Sequence, residues 1–386
     1  MNAETELALT LSRTPLGERA KSRIEALLSG RLDWDTVFAL AAQWEVEPVV
    51  FSNLRPFLEG KVEPSIIERA ALRGRESRGY ALARTLVLVH LEKKFRAAGI
   101  DVLVLKGPSV GVIAYDDPSM RSFADVDFLV RRRDLEKSRD LLLEMGFERD
   151  YDPGSEWNLL NGDHALEFSG TRAKVELHFA LLERHLRFGM KLDDVWADST
   201  MIECVGSDLR AMSRPHLMLF LCAHAAKHEW ARLRWICDVA QLSSRMSDGE
   251  VKATVALART LGARRLLALG LRLAHDILSE EVTRFSVGEL ASERETSRAM
   301  QSVEEALGLR PGQAGLRRGR LDGLGPGMRP LLFWLGVRER LADRIVSLAW
   351  VAFVPTDTDK RRGFAGWLSR PVRLASRIVR KNVTAS

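Results

Sequence analysis

The chain is poor in cysteine. Cys204, Cys222 and Cys237 are scattered through 386 residues and form no Cys-x-x-Cys pair, which argues against a disulfide framework and for a reducing compartment. Long apolar runs are missing as well. The longest late uncharged stretch, Ile345 to Thr356, falls short of the roughly 18 apolar residues that a membrane span needs. The first residues include Glu4 and Glu6 and no continuous apolar segment, so no secretory leader is expected and the cytoplasm is the expected location. There is no internal repeat. The stretch 306–329 is rich in Gly, Arg and Pro but lacks the Gly-Lys-Ser/Thr ending of a phosphate loop, and reads as a loop or linker.

Acidic charge is absent from one region. From Lys360 to the end there are eight Lys/Arg and no Asp/Glu, so a chain with a net charge of +6 has a body, residues 1–359, that carries −2. The body shows no long basic patch, which argues against a large nucleic-acid footprint. In the tail, Trp367, Leu368, Val372, Leu374, Ile378 and Val379 alternate with Arg370, Arg373, Arg377 and Arg380. That pattern is a basic amphipathic helix, either wrapped back on the fold with its arginines in water or lying on an anionic membrane surface.

What is present is the composition of a folded protein, 46% hydrophobic and 28% charged. Residues 1–95 read as a helical packing region. Trp34, Val37, Phe38, Ala41 and Trp44 recur at helical spacing behind Asp33, a plausible N-cap, and Leu82, Leu86, Val89 and Phe95 continue the theme. Residues 96–205 read as a small α/β unit. A strand over Ile100–Leu105 runs into the turn Lys106-Gly107, a helix covers Ser109–Tyr115, and a second strand covers Val126–Val130. Asp134 opens a helix that ends at Gly146, and strands over Ala165–Phe168 and Lys174–Phe179 flank Gly170. Residues 206–359 return to helices, with long apolar faces over Leu217–Leu242 and Val251–Leu278; 360–386 form the tail. The expected fold is α+β, a small mixed-sheet core flanked by N- and C-terminal helical regions.

The chemistry begins with carboxylates. Residues i and i+2 of a strand share a face, so Asp125 and Asp127 project together. Three other Asp-x-Asp triplets, Asp33/Asp35, Asp150/Asp152 and Asp357/Asp359, stand in polar or capping contexts. Only Asp125/Asp127 is set in an apolar strand, where burial demands a cation or donors; the pair holds a metal or meets Arg121. In Lys174-Val-Glu176-Leu-His178 the same spacing puts Glu176 and His178 on one face. Glu176 either joins the aspartates around a metal or makes a cross-strand ion pair. Three carboxylates holding two divalent ions would activate an attacking oxygen and neutralise a departing pyrophosphate. Upstream, Lys106-Gly107-Pro108-Ser109 offers a close backbone approach, a hydroxyl and a point charge suited to phosphate. His224 and His228 share a helix face. Zinc there lacks the Glu that follows the first His in metalloproteases, since Ala225 stands in its place. The other readings are a face that closes over a nucleotide with Lys227, or a polar face packed on the α/β unit. Asp238 orients one imidazole or pairs with Arg234, and Trp235 reads as core.

These features resemble the nucleotidyltransferase superfamily, in which a Gly-Ser turn precedes an aspartate-bearing strand and a later single carboxylate, a core like that of DNA polymerase beta. More narrowly, Leu105-Lys-Gly107, Tyr115, Arg121, Asp125-Val-Asp-Phe-Leu-Val130, Gly146-Phe147, Val175-Glu-Leu-His178, His224-Ala-Ala-Lys-His228 and Leu233-Arg-Trp-Ile-Cys-Asp238 resemble the bacterial uncharacterised nucleotidyltransferase family. The resemblance implies transfer of a nucleoside monophosphate from an NTP, ATP first among them, to an unidentified acceptor hydroxyl of a protein, peptide product, sugar or small molecule. Mg²⁺ or Mn²⁺ would sit on Asp125, Asp127 and Glu176, the implied catalytic set. Lys106, Gly107, Ser109, Arg121, His178, His224, Lys227 and His228 make up the implied nucleotide-binding set. Pro108 splits the usual adjacent Gly-Ser, and residues 110–124 make a long spacer before Asp125. The competing expectation is a non-catalytic nucleotide-binding or regulatory protein on the same fold.

Overall fold

The computed structural model describes residues 1–156, 159–160, 163–186, 188–278, 285, 290–309 and 328–353. The basic tail 360–386, the triplet Asp357/Asp359 and most of the Gly/Arg-rich stretch lie outside them. The N-terminal segment is helical: α1 (Ala3–Leu11), α2 (Glu18–Leu28), α3 (Trp34–Gln43), α4 (Glu47–Leu54) and the long α5 (Pro64–Ala97). Asp33 caps α3 as expected, its side chain accepting from the Asp35 N–H. On α5 the buried stripe is Ala81, Thr85, Leu88 and Glu92, spaced by one helical turn. Leu82 and Leu86 stand one residue further round the helix and are exposed, so the buried face does not run through them.

The α+β core follows: β1 (Val102–Val104), α6 (Pro108–Tyr115), β2 (Asp125–Val130), α7 (Leu135–Glu144), β3 (Glu148–Arg149), β4 (Ala165–Ser169), β5 (Lys174–His178), α8 (Leu192–Ala197), β6 (Thr200–Cys204) and β7 (Ser207–Ala211). The strands form one mixed sheet in the order β3-β4-β5-β2-β1-β7-β6. β2 runs parallel to β5 and antiparallel to β1, and β1 runs parallel to β7. The expected strand over Ile100–Leu105 contracts to three residues because the backbone turns away at Gly107. The β6–β7 hairpin carries the sheet past residue 205. Val205 and Gly206 both take positive φ, 51° and 70°, as a two-residue hairpin turn requires.

One sheet face, with Val104, Val126, Phe128 and Val175, packs on Leu88 and Phe95 of α5 and Leu142 of α7. The other face, with Leu103, Leu105 and Leu129, joins a larger core shared by the N-terminal helices and the C-terminal ones. The latter are α9 (Arg214–Lys227), α10 (Leu233–Arg245), α11 (Asp248–Leu261), α12 (Arg264–Leu273), α13 (Glu293–Ala306), α14 (Met328–Val337) and α15 (Leu341–Phe353). Two expected long helices are each broken. The Leu217–Leu242 stretch splits between α9 and α10, where Glu229 and Trp230 both adopt φ 55° and Trp230 is fully buried. Burying that indole on Gly270, where an added Cβ would meet its ring at 2.9 Å, offsets the strain of the turn. The Val251–Leu278 stretch splits at Gly262, a left-handed helix cap.

A buried ion pair fastens the core to the C-terminal helices. Arg121 Nε donates to both Asp238 oxygens, at 3.1 and 2.9 Å. The two side chains are 3% and 0% exposed, and the Tyr115 hydroxyl donates to Asp238 Oδ1 at 3.2 Å. Arg121 therefore does not meet the strand aspartates, and Asp238 serves neither an imidazole nor Arg234. Arg234 instead pairs with Glu45 at 3.1 Å, donates to the Ser122 carbonyl, and gives its backbone N–H to the Trp44 carbonyl at 3.1 Å. Asp238→Ala, which strands a buried guanidinium, is expected to cost about 3–5 kcal/mol in urea unfolding. Pairing Asp238→Leu with Arg121→Met should recover most of that loss.

Candidate active site

The register of two parallel strands builds the site. Asp127 on β2 lies opposite Glu176 on β5, and Leu129 lies opposite His178. Alternation along each strand then puts Asp125, Asp127, Glu176 and His178 on one face. The Leu105 N–H donates to the Asp127 carbonyl at 3.1 Å. This bond carries the β1–β2 pairing one step past β1 and delivers Lys106 alongside Asp127. The chain then reverses at Gly107, whose φ of 64° disfavours any side chain and where an added Cβ would press on the Phe123 ring at 3.2 Å.

Lys106 Nζ stands 2.8 Å from Asp127 Oδ1 and 3.9 Å from Glu176 Oε2. His178 Nε2 lies 3.0 Å from Asp127 Oδ1 and 3.0 Å from Glu176 Oε2. The cation that meets the strand aspartates is thus Lys106. Asp127, Lys106 and His178 are buried, while Glu176 and Asp125 are half-buried. Burial, then the neighbouring Asp127 charge and that of Glu176, pushes the Asp125 carboxyl up to about 6 against the pull of Lys106. Burial works in the same direction on Glu176, but the His178 bond and the Lys106 charge outweigh it and hold that carboxyl below its ordinary range. Burial opposes the charge on His178 and on Lys106, yet the facing carboxylates raise both. His178 therefore carries its proton on Nε2 between two acceptors, and its Nδ1 is buried without a partner among the described residues.

The remaining expected site residues fall in three places. Ser109 is buried at the start of α6 and donates to the Lys106 carbonyl at 3.1 Å, closing the turn. His224 and His228 meet edge to face, 4.9 Å between centroids. Trp235 stacks on His228 at 5.4 Å and touches the edge of His224, so it is packing, as expected. Burial and then the charge of Lys106 hold His224 well below its ordinary value. His228 is lowered by partial burial and then by the charges of Lys227 and Lys106. Both imidazoles thus feel the carboxylate site. Among the described residues no ligand set forms around this pair. Lys227 turns the other way, to Glu183 Oε1 at 2.7 Å and His164 Nε2 at 3.3 Å.

Among the described residues, two clusters have ligand atoms close enough to hold a metal: Asp127, Glu176 and His178, and next to it Asp163, His164 and Glu183. The second was not legible from pattern. Asp163-His164 precedes β4 outside any periodic segment, and Glu183 lies in an irregular stretch, so only the fold brings them together.

A family description, "Uncharacterised nucleotidyltransferase", matches residues 30–279. No curated protein matches the chain. Among solved structures, the chain is similar to an antigenic nucleotidyltransferase-like protein from Paracoccidioides brasiliensis. The identity is 17% and the TM-score 0.30, over 49% of this chain and 92% of that one.

Asp125 yields a stability test. A carboxyl raised from 3.8 to about 6 on folding favours the folded state below the lower value. That contribution is lost as pH rises through the upper one. Between about pH 4 and pH 6, therefore, Asp125→Asn should gain unfolding free energy relative to the parent chain, read by urea titration at each pH.

Proposed function

Since the chain belongs to the uncharacterised nucleotidyltransferase family, we propose that it transfers a nucleoside monophosphate from an NTP to an acceptor hydroxyl, using a divalent metal on Asp125, Asp127 and Glu176. The carrying observation is the parallel register that sets Asp127 against Glu176 beside the positive-φ turn at Gly107. The donors fit the metal: carboxylate oxygens on one face, Asp127 buried and Asp125 and Glu176 half-buried, already draw positive charge and suit Mg²⁺ or Mn²⁺ better than a soft ion. When bound, such a metal supplies Lewis-acid neutralisation of phosphate charge.

The protein's own residues do the rest. His178 holds Asp127 and Glu176 at fixed separation through one N–H. Lys106 neutralises Asp127 in the metal-free chain; relieved of that task, its ammonium is placed to meet a phosphate oxygen. Gly107 and the first N–H groups of α6 form an anion-accepting turn, and Ser109 keeps that turn closed. His224 and His228, uncharged, line the side towards α9 without repelling the cations already there. Residues 96–205, together with the β6–β7 hairpin, would be the transferring core, with ATP the first donor to try.

A second reading is nucleotide binding without turnover. It is favoured by Lys106 and His178, whose contacts give Asp127 and Glu176 cationic and N–H partners from the protein itself. Incubation with each [α-³²P]NTP, Mg²⁺ and a clarified cell extract as the source of acceptors separates the two. Transfer of label with pyrophosphate release, lost at least about a hundredfold in Asp127→Asn and abolished by EDTA, supports the enzyme. Tight NTP binding in calorimetry with no label transferred supports the binding protein, and no NTP binding at all excludes both.

A further inference from the structure

His164 stands beside the carboxylate site without belonging to it. Its ring meets that of His178 edge to face, 5.1 Å between centroids, and His178 is the group that bridges Asp127 and Glu176. One imidazole's width therefore separates His164 from the carboxylates. The Asp163 carboxylate accepts from the His164 backbone N–H at 2.8 Å and faces ring Nδ1 at 2.5 Å. A carboxylate can only accept, so Nδ1 carries the proton. Burial alone would raise the Asp163 carboxyl, but the bonds from His164 overcome it and keep it below its ordinary value. On the far side, Nε2 faces Lys227 Nζ at 3.3 Å. An ammonium can only donate, so Nε2 presents a lone pair. The side chain keeps 15% of its surface open.

We propose that Asp163 and His164 form the general base that takes the proton from the acceptor hydroxyl. The proposal rests on the nucleotidyl-transfer reading above and adds the group that activates the acceptor. The proton passes from the hydroxyl oxygen to Nε2. That oxygen forms a bond to the α-phosphorus, the bond from the α-phosphorus to the bridging oxygen breaks, and pyrophosphate leaves with the electron pair. The imidazolium formed is balanced by Asp163 behind it and by Glu183, whose Oε1 lies 3.9 Å from Nδ1. Lys227, held more closely by Glu183 at 2.7 Å, yields its long contact to Nε2 as the substrate hydroxyl arrives. Carboxylate, imidazole and an Nε2 lone pair facing only the long Lys227 contact among the described residues make the base-and-orienter arrangement that serves other hydroxyl nucleophiles. The charged and titratable groups facing His164 are Asp163, Glu183, Lys227, His178 and His185.

The test uses the full-length chain in the label-transfer assay, with calorimetric binding of Mg·ATP measured in parallel. His164→Ala should lose about 10²–10⁴-fold in transfer with ATP affinity unchanged, and added imidazole should restore part of the rate. Asp163→Asn should lose at least about tenfold through the wrong tautomer. Imidazole should restore nothing to Asp127→Asn. Independently of activity, ¹⁵N shifts of labelled histidine, assigned by difference against His164→Ala, should show the Nδ1–H tautomer. Wild-type transfer rates in His164→Ala, a loss that imidazole leaves untouched, or an Nε2–H tautomer would each overturn the proposal while leaving nucleotidyl transfer standing. A wild-type chain that transfers no label overturns the transfer reading, and this inference with it.

Discussion

Three carboxylates crowded on one face of an apolar sheet set the terms for everything near them. Unpaired, they would repel one another and forfeit hydration. The chain meets that demand with Lys106, brought in by one extra rung of β1–β2 pairing, and with His178, brought in by the same strand that supplies Glu176. The positive φ at Gly107, the shortness of β1 and the closed turn at Ser109 all follow from delivering an ammonium to Asp127 and then leading the chain away at once. The uneven titration of the set follows as well. Asp125, pressed by burial and by the Asp127 charge, is the carboxyl pushed up, and Glu176, held by the His178 bond and the Lys106 charge, is held down.

Much of this was legible in the sequence because it obeys short-range periodicity. The i, i+2 rule placed Asp125 with Asp127 and Glu176 with His178. Strands β1, β2, β4 and β5 and the Asp33 cap fall where composition puts them, whereas β3, β6 and β7 stand outside the expected strands. The parts that were not legible depend on contacts that no local pattern encodes. Nothing near Arg121 marks Asp238 as its partner 117 residues later. The α9–α10 break occurs at Glu229 and Trp230, residues that seldom take positive φ, and is favoured by an indole-sized space against Gly270. The β6–β7 turn uses Val205 where Asn or Gly would have signalled it. The Asp163–His164–Glu183 group draws on segments with no periodicity at all.

The helical regions are more than flanks. The sheet face that bears the carboxylates is also the face that joins the large shared core, so α9 and α10 close the site from above while α5 and α7 support the sheet from the opposite side. His224, in the last turn of α9, and His228, its C-cap, lie within the field of Lys106. A helix that packs by its apolar stripe and presents its last turn to a charged site ties the stability of the region to the shape of the site.

The Arg121–Asp238 pair has a consequence for how the chain is made. Arg121 leaves the ribosome well before Asp238, and with it the whole aspartate strand and Glu176. Until α10 follows, the guanidinium that fixes the loop in front of Asp125 has no counter-charge and must stay in water. The strand pairing of the core can form early, but the approach to it locks only when the C-terminal helices arrive. A partly synthesised chain therefore holds every carboxylate of the site without a settled entrance, and a finished site coincides with a chain translated well past its sheet.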